Sequence, residues 1–179
     1  MADKFDMLHQ KHIEFIEQQQ IFFVASAGCE GLINLSPKGM DTLKIIDSSK
    51  LVWLNYIGSG NETAAHINQN SRLTIMFCSF EKKPLILKVF GRAEEVRSTH
   101  SDFSKYSNHF NNIRGARQIF VVEIDSVLTS CGYGVPLYEF KSQRDTLTKW
   151  LDNKSNDELQ EYQQKNNTIS LDGVKIDIS

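Results

Sequence analysis

The chain has 179 residues, 40% hydrophobic and 23% charged, with a net charge of −2. That is the composition of a globular chain, long enough to bury a core without covalent staples. It argues against a general nucleic-acid binder: the chain has no basic stripe, and no Lys/Arg run beyond Lys82-Lys83.

Cys29, Cys78 and Cys131 are far apart and odd in number, with no CxxC or Cys/His spacing suited to zinc. Free thiols in a reducing compartment are the simplest account. The opening Met1-Ala2-Asp3-Lys4-Phe5-Asp6 lacks a signal-peptide apolar region, and no apolar run approaches the about 20 residues of a membrane span. A cytoplasmic protein without a membrane partner is expected.

In chain order, Phe5, Leu8, Ile13 and Ile16 predict an amphipathic helix over Phe5 to Ile16. Residues 21–27 are strand-like, Gly28-Cys29-Glu30-Gly31 is a turn, and Leu32 to Leu35 completes a hairpin that Ser36-Pro37-Lys38-Gly39 breaks. Leu51 to Ile57 reads as a buried strand, followed by Gly58-Ser59-Gly60-Asn61 and a short helix ending near Asn70. Arg72 to Phe80 and Leu85 to Val96 are strands around a Glu81-Lys82-Lys83-Pro84 turn. Gly91 in the second marks a bulge or a close approach. Asp102 to Phe110 is helical, Gln118 to Ile124 is a strand extending towards Val127-Leu128-Thr129, Arg144 to Leu151 and Asn156 to Lys165 are polar helices, and Asp172-Gly173 turns a terminal hairpin. Trp53 is expected in the core and Trp150 as an anchor for the C-terminal helices.

About six strands with short connections favour antiparallel pairing. The expected fold is therefore mainly β with peripheral helices (α+β): a six-stranded antiparallel barrel over residues 1–140, then a helical extension and tail over 141–179.

The loop Gly58–His66 is the strongest functional signal. A strand running through glycines into a helix offers close backbone N–H approach, hydroxyls, and the unpaired N–H groups of a first helical turn. A P-loop ending in Gly-Lys-Ser/Thr is absent. A GxGxxG reading would need a glycine at Thr63 and a βαβ layout that this strand-rich chain lacks, even though Glu81 sits about 20 residues on. The rival is a plain strand-to-helix turn capped by Asn61 or Thr63. Three companions accompany the loop: Asn34-Leu35-Ser36-Pro37-Lys38-Gly39, the Lys88/Arg92 face of Leu87–Arg92, and Ser130-Cys131-Gly132-Tyr133-Gly134-Val135-Pro136.

Together, in this order, these segments resemble the pyridoxamine 5′-phosphate oxidase-like, FMN-binding split-barrel family, over roughly residues 20 to 140. The resemblance implies a split barrel forming a homodimer, with FMN in clefts at the interface. It implies that Ser36, Lys38, Ser59, Asn61 and Thr63 hold the phosphate and ribityl chain. Backbone from Tyr56 through Gly58 to Gly60 would line the flavin. Gly132-Tyr133-Gly134 would approach the ring, from the same chain or from the partner chain, and Arg92 or Lys88 the phosphate or the pyrimidine edge. An FMN-dependent oxidoreductase acting on a small molecule or electron donor is implied. A flavin-binding module without turnover (a sensor, a reservoir or a haem-handling relative) is the alternative. The family's founding enzyme carries an Arg-rich C-terminal segment for its substrate's phosphate; here the chain reads Leu171-Asp172-Gly173-Val174-Lys175-Ile176-Asp177-Ile178-Ser179. That enzyme's own activity is therefore not expected.

Overall fold

The computed structural model describes residues 2–178. Its strands are β1 (Asp3–Phe5), β2 (Phe22–Ala27), β3 (Ile33–Lys38), β4 (Leu43–Asp47), β5 (Lys50–Tyr56), β6 (Arg72–Cys78), β7 (Ile86–Val96) and β8 (Ala116–Ser130). Its helices are α1 (Gln10–Glu17), α2 (Glu62–Gln69), α3 (Phe103–Ser107), α4 (Thr146–Asp152) and α5 (Asn156–Asn166). One antiparallel sheet runs β3-β2-β6-β7-β8-β5-β4, with β1 added along β8. The expected class, mainly β with helices outside, is what folds, with eight strands instead of six.

β5 and β8 pair antiparallel and are buried on both faces over residues 51–55 and 117–122. Leu51, Trp53, Phe120 and Val122 point into the main core with Phe22, Ile75, Phe77, Leu87 and Val89. Val52, Leu54, Ile119 and Val121 point the other way, under Tyr106 and Phe110 beside α3. Trp53 stacks on Phe120 at 4.9 Å and meets Phe22 edge-on at 6.4 Å. At Gly91 the β7–β8 register shifts, and a Cβ there would run into the Glu123 carbonyl and Val122 Cγ1. The bulge and the close approach are one feature.

Three local expectations are corrected. Asp3–Phe5 is a strand against Val127–Thr129, so the first helix starts only at Gln10. Ser36-Pro37-Lys38 does not break β3; it is strand, with Pro37 opposite Phe23, and proline is tolerated because β3 lies at the end of the sheet. β4 was not foreseen. It pairs with β5 through a bulge between Ile45 and Asp47, which obscures its alternation.

The C-terminal segment folds back on the barrel. Leu151 and Leu159 form a small cluster with Ile57, with Trp150 and Tyr162 packed against it at a ring distance of 5.1 Å. Ser155 caps α5 in a reciprocal box with Glu158. The terminal turn at Gly173 brings Ile169 opposite Lys175.

Candidate functional site

β3 alternates in an inverted sense: Asn34, Ser36 and Lys38 face inward, while Ile33 and Leu35 are 78% and 64% exposed. The three inward residues face Trp53, Asn55 and Tyr56 of β5 and the loop Gly58–Thr63, enclosing a polar cleft of about 340 Å³. Arg117 forms the remaining wall.

Arg117 reaches this position through a bulge. Asn55 pairs with Gln118 and Tyr56 with Ala116, so Arg117 is the extra residue and is re-aimed. It is only 7% exposed; its Nη1 donates to the Gly60 carbonyl at 2.9 Å and its Nε has no partner. Burial, opposed in part by Glu95, brings its pKa down to about 10. The Lys38 ammonium sits 5.1 Å from the Trp53 ring centroid, and burial first, then Arg117, brings its pKa down to about 8. Two cations are thus held in one polar cleft at a cost that an entering anion relieves.

The loop is pinned from behind. Gln118 Nε2 donates to Asn61 Oδ1 at 2.8 Å, and Asn167 Nδ2, beyond α5, donates to the Gly58 carbonyl at 3.0 Å. The Leu171 N–H donates to Glu62 at 3.1 Å. Asn61 makes no side-chain cap on α2; only its carbonyl accepts, from Ala64 and Ala65. A second cavity of about 920 Å³ adjoins the cleft and shares Lys38 and Gly58 with it. Ile21, Met40, Phe80, Leu147, Trp150 and Tyr162 contribute to its walls. Among the described residues, no cluster of His, Cys, Asp and Glu could hold a metal. No helix among the described residues is long and apolar enough to cross a membrane.

Residues 8–131 match the family described as pyridoxamine 5′-phosphate oxidase. The chain belongs to the pyridoxamine 5′-phosphate oxidase family. Pyridoxamine 5′-phosphate oxidase family protein ustO of Aspergillus flavus is 34% identical over 175 residues, 88% of this chain and 70% of that one. An FMN-binding protein from Syntrophomonas wolfei shares the fold with a TM-score of 0.50 at 12% identity, over 64% of this chain and 80% of its own. The FAD-binding protein from Mycobacterium smegmatis does so with a TM-score of 0.51 at 8% identity, over 70% and 97%.

On this family fold, Ser36, Lys38, Tyr56, Gly58, Ser59, Gly60, Asn61 and Thr63 meet in one cleft. Four expected residues do not join them within one chain. Arg92 is exposed on β7, 3.6 Å from Asp125 and bonded to Ser71. It lies on the exposed side of β7, between the buried Gly91 and Ala93, and is not among the cleft walls. Tyr133 is 82% exposed beyond β8, and Gly132 packs on the Leu85 backbone. Lys88, the second basic residue of that strand, is also absent from the cleft walls. The sequence reading missed Arg117 and Asn167, both far from the loop in sequence. The one available signal for Arg117 was a charge at the mouth of an apolar strand.

Proposed function

We propose that the chain is an FMN-binding flavoprotein, an FMN-dependent oxidoreductase acting on a small molecule. The meeting of Lys38 and Arg117 in one polar cleft carries this reading. An FMN chain ends in a phosphate dianion, and the cleft offers that group two cations, the Ser59 and Thr63 hydroxyls, and open glycine backbone. The unpartnered Arg117 Nε is a donor without an acceptor, as expected of a residue whose partner is a ligand.

A bound flavin supplies hydride acceptance at its N5 and re-oxidation by oxygen or another acceptor. The chain supplies position, charge and exclusion of water. Lys38 and Arg117 balance the anion, Asn167 and Gln118 hold the loop, and the larger cavity offers apolar volume for a ring and a second reactant. Lys38 borders both spaces, so its charge faces both ends of a ligand that spans them.

A homodimer with the cofactor near the interface belongs to the same proposal. Ile33 and Leu35 expose apolar surface on the face of β3 opposite the cleft residues, with Leu32 (60% exposed) beside them. An end strand left this apolar fits a second copy of the chain.

The test is the absorption spectrum of the purified protein, followed by anaerobic addition of nicotinamide and amine donors, with sedimentation for the assembly. Flavin absorbance that a donor bleaches is expected. Flavin that no donor reduces leaves the non-catalytic module as the function. A protein that acquires no flavin absorbance with FMN, and whose Tm FMN does not raise, overturns the proposal.

A further inference from the structure

A chain of hydrogen bonds runs from the core to the cleft. His66 is buried in α2, with its Nδ1 3.0 Å from Ser26 Oγ. Ser26 Oγ lies 3.3 Å from Thr63 Oγ1, and both residues are buried. Asn34 Nδ2 donates to the same Thr63 Oγ1 at 3.2 Å, and Ser36 Oγ donates to Asn34 Oδ1 at 3.2 Å.

The direction of this chain follows from its buried end. His66 Nε2 has no partner. Were the ring proton on Nε2, a buried N–H would lack an acceptor, a rare and costly state. With the proton on Nδ1, only a lone pair is left unpaired, which costs less. Nδ1–H therefore donates to Ser26. Ser26 in turn spends its single proton on Thr63. Thr63 Oγ1, already accepting from Ser26 and Asn34, has both lone pairs engaged, and its one remaining capacity is to donate. The Ser36 proton is committed to Asn34, so Ser36 is not a free donor.

We propose that His66 and Ser26 are positioning residues that make Thr63 an obligate hydrogen-bond donor into the cleft, so that the site selects an oxyanion over a neutral hydroxyl. The proposal deepens the FMN reading and rests on it: the oxyanion is the cofactor's phosphate. Each donor in the series is polarised by the one behind it, which strengthens the last bond, the one to the anion.

The experiment has two readouts. In ¹⁵N spectra of the full-length protein, the His66 ring should carry its proton on Nδ1. In binding titrations with FMN and with riboflavin, which lacks the phosphate, His66→Leu, Ser26→Ala and Thr63→Val should each weaken FMN more than riboflavin, by about ten- to a hundredfold. His66→Asn, whose amide can donate from near the Nδ1 position, should keep most of the preference for FMN. A proton found on Nε2 alone, or losses equal for the two ligands, overturns the proposal. A wild-type protein that binds neither ligand removes the cofactor reading, and the position of the ring proton then decides the relay by itself.

Discussion

β3 and β5 line the same cleft and obey opposite rules. β5 is apolar on both faces except at Lys50 and Asn55, and every residue from Leu51 to Asn55 is buried. β3 hides its polar residues and exposes its apolar ones. Packing within the chain dictates the first strand: Leu51 and Trp53 fill one core, Val52 and Leu54 another. The second strand makes little sense as packing, yet its inward face supplies Asn34, Ser36 and Lys38 to one cleft. The ligand proposed for the inner face and the second copy proposed for the outer face together account for a strand whose patterning violates the burial rule.

The contrast breaks most sharply on stability. Trp53→Ala should cost about 3–5 kcal/mol, because it empties a site ringed by Phe22 and Phe120. Leu35→Ser should change the stability of the single chain by no more than about 0.5 kcal/mol, while weakening the proposed dimer in sedimentation. Denaturant titration of both variants checks this. A Leu35 loss as large as that at Trp53 would show that β3 is packed within its own chain, and the distinction between the two strands would be lost.

Binding should separate from stability at Arg117. Arg117→Met keeps the volume and removes the charge. FMN affinity should fall about ten- to a hundredfold. Tm should hold or rise, because methionine removes the cost of burying the guanidinium and its repulsion with Arg97, while Glu95 keeps its ion pair with Arg97. Calorimetric titration and a melting curve on one preparation decide it. Lost affinity with an equal loss of Tm would make Arg117 a structural residue holding Gly60.

How much of this was legible depended on distance along the chain. Gly58–Thr63 is local: glycines, hydroxyls and a helix start lie within six residues, so the turn and its anion-binding chemistry read directly. Lys38 came into view only as part of the Asn34–Gly39 segment, and a lysine after a strand is ordinarily solvated. Arg117 was invisible, because its burial depends on a bulge against Asn55 and Tyr56, which lie some 60 positions earlier. Asn167 was hidden for the same reason, since its partner is the Gly58 carbonyl, 109 residues away. β1 has three residues and no pattern of its own; it exists because Val127–Thr129 offers it an edge. Strands made by their partners leave a faint mark in sequence, whereas β5 and β8, made by their own apolar residues, were read nearly to their ends.

The smallest expected effect is the most specific. Burial and Arg117 hold the Lys38 pKa at about 8 against an ordinary 10.5. Between those two values the unfolded chain binds a proton that the folded chain has released, so this residue makes folding more favourable as pH rises through the window. Anion binding must run the other way. The phosphate of FMN is already a dianion above a pH of about 6, so between pH 7 and pH 9 the group that changes charge is Lys38. If only its ammonium form binds well, FMN affinity should fall roughly tenfold across that range while the unliganded fold becomes no less stable. Lys38→Met should bind weakly at pH 7 and show little further change with pH. A flat wild-type profile would place Lys38 outside the anion's reach and leave Arg117 as the cation that β3's inward face was built to assist.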